Sequence, residues 1–320
     1  MDKKGLIYGF YFNDDNVREV IDSSDAIDIT RIHWLHFDYS LPATREWLQN
    51  QSQLNPVVIS ALLNEETRPR ATMLNQGVLI ALRGVNLAPN SNPEDMVSIR
   101  IWVEKGRIIS TRKRLIMSVH DLVEAVNRGA GPTSPVEVVV QLVERLMARM
   151  TDTINDIEEK VSEIEETILT TSTYGLRSEI ADLRRQVISL RRYLMPQREA
   201  IQQLLSDKFT LFSSQDKIHL RESADQLIRY IEELESIKDR AAVSQEELNN
   251  RINEQLNNRM YVLSIVAAIF LPLGFFTGLL GINVGGIPGS DNVDAFLYFV
   301  FFLVVVVALQ VILFKKKKWF

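Results

Sequence analysis

Asn249, Asn253 and Asn257 recur at every fourth position of "NNRINEQLNNRM" (249–260). On a helix this spacing puts three neutral amides on one face, and Met260 and Ser264 continue that face onward. Carboxamides touch hydrated cations without holding them tightly, which suits an oligomeric helix lining water; the alternative is a merely solvated helix surface above the membrane. Further on, "GINVGG" (281–286) closes a long apolar run, so Gly281, Ile282 and Asn283 stand where a membrane span should end. Irregular backbone at membrane depth is tolerated only where it lines water or is buried in protein. A ring of Asn283 amides and glycine carbonyls would offer hard oxygen acceptors to a cation that keeps part of its water shell, such as Mg²⁺ or hydrated Zn²⁺. Such ligands discriminate little among divalent ions.

Other residues suggest chemistry less well. His33 and His36 in "HWLH" read as a strand pair on opposite faces, unable to chelate one ion, and are expected to be structural. For His120 and His219 no ligand is expected at helix spacing, and Ser118 with Asp121 reads as a helix cap. The acidic run "NDIEEKVSEIEE" (155–166) reads as a solvated helix face, with metal binding as the alternative, and the arginine pairs at 184–185 and 191–192 could be its antiparallel partners. The chain has no cysteine, which removes disulfides, thiolate catalysis and cysteine zinc sites. It carries no G-x-x-x-x-G-K-[ST], H-E-x-x-H or G-x-S-x-G pattern, so neither ATP hydrolysis by that route nor enzymatic activity is expected, and no cofactor is implied. A net charge of −5 argues against a nucleic-acid partner.

The elements that must position the amides and glycines follow from charge and hydropathy. After Arg259 the next charged residue is Asp291, and Asp294 is the last before Lys315. Met260–Leu280 and Ala295–Phe314 each have about the twenty apolar residues that cross a hydrocarbon core. The loop between them holds Asp291 and Asp294 but no Lys or Arg, whereas Arg259 and "KKKKWF" (315–320) flank the outer ends of the pair. Positive-inside bias predicts both termini in the cytoplasm, with Trp319 and Phe320 at the headgroups. The two aspartates would then gather cations outside, or be ordinary solvated loop residues. The N-terminus lacks a signal-peptide core and is expected to stay inside. Gly274 and Gly278, with Gly281 one turn later, would let helices approach closely in lipid, and Pro272 would loosen the first span.

Residues 5–113 mix helical stretches with strand-like runs, among them "GLIYGFYF", "IDITRIHWLHFDYS", "GVLIALRGVNL" and "MVSIRIWVEKGRIISTRK", the last with a turn at Lys105-Gly106. A helix at 119–128 stops at Gly129, and "GAGPTSP" (129–135) reads as a linker. Three long helices follow: from Ser134 as N-cap to about Leu169, from Leu176 to Ser206, and from Ser213 or Ser214 through the first span. Heptad spacing in the third puts Leu220, Ala224, Leu227, Ile231, Leu234, Ala241, Leu248 and Ile252 on a seam, with Lys238, Gln245, Gln255 and Arg259 as its wet positions. A helix about 100 Å long with so polar a seam needs partners, and copies of the chain around an axis are expected.

These residues carry a resemblance. "YVLSIVAAIFLPLGFFTGLLGINVGGIPG" (261–289) is similar to the end of the pore helix in the CorA superfamily of divalent-cation transporters, with "GIN" as its Gly-x-Asn signature and "FLP" as a family Phe-x-Pro. "HWLH" (33–36), "EETRPR" (65–70) and "LRRYLMPQR" (190–198) resemble family segments in the same order. "GINVGGIPG" is most similar to the ZntB branch of zinc transporters. The resemblance implies a pentameric funnel in the bacterial inner membrane. Its parts would be an α+β cytoplasmic domain of αβα type (1–134), a long-helix stalk (135–258), a pore-lining span (259–281), an external loop (282–294), a second span (295–314) and a basic tail (315–320). Gly281, Ile282 and Asn283 would form the outer filter, with Asn257, Met260, Leu271 and Gly274 facing the pore below. Gly274 departs from the hydroxyl often found there, though Thr277 is near. The expected function is passage of divalent cations, Zn²⁺ foremost with Mg²⁺, Co²⁺, Ni²⁺ or Cd²⁺ open, with or without proton coupling. The alternatives are a Mg²⁺ or Co²⁺ channel of the same superfamily and a membrane-anchored coiled-coil scaffold without a pore.

Overall fold

The computed structural model describes residues 5–12, 18–21, 27–65, 67–75, 77–170, 174–282, 287, 289 and 291–317. Asn283, and positions 318–320 of the basic tail, lie outside the described residues. The chain divides into two compact units, Met1–Glu246 and Glu247–Phe320.

The first unit is built on a sheet of β1 (Leu6–Phe12), β2 (Arg18–Val20), β3 (His33–Asp38), β4 (Arg70–Leu74), β5 (Gly77–Gly84), β6 (Val97–Glu104) and β7 (Arg107–Arg112). The strand order is β2-β1-β3-β7-β6-β5-β4, with β3 and β7 parallel and every other pairing antiparallel. Lys105-Gly106 is the expected two-residue hairpin turn, because Glu104 pairs with Arg107. Strands β5, β6 and β7 are buried at nearly every position, β7 with Ser110, Thr111 and Arg112 included, because both faces of the sheet are covered. On one face Leu35, Phe37, Leu79, Trp102 and Ile109 pack with Trp47, Leu48, Val58 and Leu62 of two helices, α1 (Pro42–Asn50) and α2 (Pro56–Leu63). The opposite-parity residues Trp34, His36, Ile80, Ile99, Ile101 and Ile108 are equally buried. Trp34 donates from its indole N–H to Ser110 Oγ (3.0 Å), which also hydrogen-bonds His36 Nδ1 (2.8 Å).

The three upstream segments that carry the resemblance act here as structural joints. Around Arg83 two of them meet: its guanidinium donates to the carbonyls of Thr67 and Met96 and stacks on Tyr193, while its backbone N–H donates to Gln197 Oε1 at 2.7 Å. Arg100, 1% exposed, donates to the Glu65 carbonyl and lies over Tyr39. Burial holds both guanidinium groups below their ordinary pKa range.

Helix α3 (Met117–Asn127) starts without the expected cap. Ser118 Oγ donates to the Arg145 carbonyl, and Asp121 is drawn into a bidentate pair with Arg149 at 2.6 Å, so tertiary partners outcompete the local box. Gly129, at φ 77°, provides the left-handed residue just past the helix end. Next comes α4 (Pro135–Thr170), where Ser134 Oγ accepts from the Glu137 N–H as expected. The Glu137 carboxylate reaches back to Thr133 and not to Ser134. After α5 (Tyr174–Leu204) the chain enters α6 (Ser214–Leu280), a single element of 67 residues.

The seam of α6 is drier than expected. Leu220, Leu227, Leu234, Ala241 and Leu248 are buried, but the alternate heptad positions are Ser223, Tyr230, Ile237 and Ser244. Lys238 and Gln245, one residue later, flank the seam: Lys238 bonds Glu235 (2.6 Å) and Gln245 accepts from Arg184 (2.6 Å). The sequence allowed both choices of phase, since Ala224 and Ile231 are buried as well. Packing against α4 selects the one that buries Tyr230, whose hydroxyl meets Thr151 and the Met147 carbonyl. The arginine pairs do not meet the acidic run either: Arg185 pairs with Asp182 and Arg191 with Glu235, while Arg240 of α6 takes Glu165 at 2.6 Å.

The second unit contains the end of α6 and α7 (Ala295–Lys316). Among its described hydrophobic residues only Leu248 and Ile265 are buried. Both helices are long and apolar enough to cross a membrane, with mean hydropathy over their best 18-residue windows of 2.3 and 3.0.

Candidate cation pathway

Two contacts fix how α7 lies on α6. Phe276 and Phe302 meet edge to face at 5.1 Å, and Gln310 Nε2 lies 3.4 Å from the Ala268 carbonyl. Advancing eight residues on α6, from Ala268 to Phe276, is matched by retreating eight on α7, so the helices are antiparallel. Arg259 and Lys315–Lys317 therefore stand toward the same end of this hairpin, as the charge pattern required.

The side of α6 bearing Ile265, Ala268, Ile269, Pro272, Leu273 and Phe276 is partly or fully covered. At 100° per residue, Asn253, Asn257, Met260, Ser264, Leu271 and Gly274 fall on the turned-away side, and every one of them is exposed. Asn249 is half-buried and belongs to the same stripe. Leu271 and Met260 are 76% and 66% exposed, large apolar side chains left uncovered among the described residues. A methyl group added at Gly274 or Gly278 would meet no atom within 4 Å among the described residues, so the small-residue step is open there.

The hydroxyls on this helix are oriented by its backbone. Ser264 Oγ donates to the Met260 carbonyl (2.8 Å), and Thr277 Oγ1 donates to the carbonyls of Leu273 (2.8 Å) and Gly274 (3.1 Å). With the proton committed inward, the oxygen lone pairs are left for an electropositive neighbour. At the end of the helix the Gly281 N–H donates to the Thr277 carbonyl (2.9 Å), and a Cβ at this position would sit 2.6 Å from that oxygen, so the turn-off from α6 excludes a side chain. Ile282 is 51% exposed. Beyond it, Asp291 and Asp294 are exposed, and neither forms an ion pair among the described residues.

The histidines and the acidic run do not join this face. His33 and His36 are fully buried in β3 with separate partners, the Arg31 carbonyl and Ser110. Burial pushes His36 down to about 3, and also lowers His33. His120 does have a carboxylate at helix spacing, Glu124 at 3.3 Å, and His219 Nδ1 meets Glu144 at 2.8 Å. In the acidic run Glu165 is held below its usual range by Arg240. No group of three potential metal ligands gathers among the described residues. Sequence reasoning missed Gln310, although a lone carboxamide inside an apolar run is itself a signal.

The sequence matches the family described as CorA-like Mg²⁺ transporter protein over residues 30–316, and the chain belongs to that family. It is 38% identical to the divalent cation transporter CmaX of Pseudomonas aeruginosa, covering 99% of this chain and 98% of the relative. It is 33% identical to the zinc transport protein ZntB of Pectobacterium carotovorum, over 98% of this chain and 96% of the relative. The solved structure of full-length CmaX superposes with a TM-score of 0.86 at 37% identity, covering 100% of this chain and 99% of the other. The combination of a soluble α/β domain, a long helix and a second apolar helix is thus the architecture of this family.

Proposed function

We propose that the chain is a zinc transporter that assembles as a homopentamer in the bacterial inner membrane, with both termini in the cytoplasm and no use of ATP. The observation that carries this reading is the uninterrupted face of α6 from Asn249 to Gly281. It bears amides, hydroxyls, glycines and apolar residues, with Arg259 in line with Thr277 as the charge at its margin, and it is turned away from α7. Five copies of that face around an axis would enclose a path for hydrated metal. Asn249, Asn253 and Asn257 would line its cytoplasmic entrance, and Met260 and Leu271 would narrow it. Ser264, Gly274 and Thr277 would offer it hydroxyl and carbonyl oxygens. Gly281, Ile282 and Asn283 would act as the outer filter, with Asp291 and Asp294 gathering cations outside. The ZntB relatives and the glycine-rich "GINVGGIPG" favour Zn²⁺ over Mg²⁺, Co²⁺, Ni²⁺ and Cd²⁺.

The test is flux through the purified chain in liposomes loaded with zinc, magnesium and pH dyes. Zinc entry that falls at least about tenfold in Asn283→Ala, the factor carried by roughly 1.4 kcal/mol of barrier, supports the reading. A pH signal moving with zinc would add proton coupling. Magnesium entry without a zinc signal would replace it with the magnesium channel, and an intact oligomer passing neither ion would leave only a scaffold.

A further inference from the structure

Gln310 is the single carboxamide in the apolar run Ala295–Phe314 of α7. Placing an amide in hydrocarbon is costly unless it is hydrogen-bonded. Its Nε2 is directed at the Ala268 carbonyl of α6, a long hydrogen bond of 3.4 Å. The identity of that acceptor is what matters. In an α-helix the N–H of residue i bonds the carbonyl of residue i−4, so the regular donor for Ala268 is the backbone nitrogen of residue 272. Residue 272 is proline, inside a helix that continues to Leu280. It has no N–H to give, and its ring crowds the carbonyl four residues back. In lipid no water replaces the missing donor.

We infer that Gln310 is a positioning residue for α6, a side-chain donor from α7 that stands in for the backbone donor Pro272 lacks and thereby holds the proline break at a set geometry. Two further observations agree. The edge-to-face contact of Phe276 with Phe302 lies eight residues along each helix, about 12 Å, so the antiparallel register itself brings Gln310 level with Ala268. The amide oxygen of Gln310 is buried without a partner, so the bond to Ala268 is the amide's single anchor among the described residues. A carbonyl only accepts, which fixes the amide's NH₂ group toward α6. Leu271 and Gly274 flank Pro272 on the turned-away face, so the angle of α6 at this point decides where those two residues stand. The link to flux rests on the transporter reading above; the hydrogen bond does not.

The test is a double-variant cycle on the full chain in liposomes, with Gln310→Met, which keeps volume but removes the donor, Pro272→Ala, which restores the backbone N–H, and the two combined. Gln310→Met alone is expected to lower the maximal zinc flux about three- to twenty-fold, the range that interhelical side-chain hydrogen bonds in membranes span, at unchanged half-saturating zinc. In the Pro272→Ala background the same change is expected to alter flux less than about twofold, within the additivity error of uncoupled sites. A ¹³C=¹⁸O label at Ala268 gives a readout independent of transport: its infrared band should move to higher wavenumber in Gln310→Met and stay in place in the double variant. Equal effects in both backgrounds, or an unmoved Ala268 band, would overturn the proposal. If Gln310→Met fails to assemble, recovery of assembly by Pro272→Ala supports it and continued failure overturns it. If the wild type passes no ion, the transporter reading fails and the infrared shift still decides the hydrogen bond.

Discussion

The two units of this chain treat apolar residues in opposite ways. In Met1–Glu246 the large hydrophobics fold inward: Trp34, Leu35, Phe37, Ile80, Ile99 and Ile101 are at most 1% exposed. In Glu247–Phe320 they stand outward, with Leu271, Phe296 and Phe301 at 76%, 79% and 67% exposed. Polar groups invert with them. The first unit buries Arg100, His36 and Ser110 and provides each with a hydrogen bond, whereas the second presents Asn253, Asn257, Ser264 and Thr277 at the surface of α6. An apolar exterior with a polar stripe is stable when the surroundings are lipid on one side and neighbouring helices around water on the other. One chain therefore carries two arrangements of apolar residues, a core made from its own side chains and a helix pair whose apolar surface its own described residues leave uncovered.

Truncations at matched hydrophobic positions should separate the two. Trp34→Ala is expected to cost about 3–5 kcal/mol through cavity formation, read as a fall in the melting temperature of the detergent-solubilised chain by circular dichroism. A melting temperature left in place would mean that the first unit has no cooperative core. In the second unit, Gly274→Leu adds bulk to a position open within the chain. It should leave that melting transition unchanged but loosen assembly by about 1–3 kcal/mol, the usual cost of overpacking a close contact, measured as oligomer dissociation in detergent. An unaltered oligomer would show that neighbouring helices do not meet at Gly274.

Smaller effects sharpen the contrast within the first unit. His36 titrates at about 3 in the fold against an ordinary 6.5, so the unfolded chain binds more protons between those values. Stability should fall as pH drops from 6.5 toward 3, by up to about 1.4 kcal/mol per pH unit from this residue. His36→Gln should flatten that slope in urea titrations, and an unchanged slope would assign the acid sensitivity elsewhere. Arg240→Ala removes the partner of Glu165 on α4. For a pair about one-third exposed on each side the loss should be at most about 1 kcal/mol and should shrink in high salt. A larger, salt-insensitive loss would make α6 depend on that bridge more than on its seam.

The elements of the second unit were legible because they answer to composition. A run of twenty uncharged apolar residues has one use in water-excluding surroundings, and lysines beside it mark its end. Strand runs such as "IRIWVE" and the Lys105-Gly106 turn were equally plain, since a strand buried on both faces loses its polar alternation. Less legible was every choice between near-equal local options. Short Arg18–Val20 and Arg70–Leu74 have no apolar run of their own and become strands only because β1 and β5 offer an edge. Ser118 and Asp121 match a cap in sequence and are spent on Arg145 and Arg149 in space.

By itself, then, the sequence determined two helices long and apolar enough to cross a membrane, their charge flanks, the amide stripe from Asn249 to Asn257 and a mixed domain ahead of three long helices, because each follows from spacing along one segment. Only tertiary structure decided the phase of the α6 seam, with Ile237 and Ser244 inward in place of Lys238 and Gln245, since that depends on which face α4 presents. It likewise decided that Gln310 lies level with the carbonyl Pro272 leaves without its helical donor. That pairing joins residues 42 apart in sequence, and no local period reports on it.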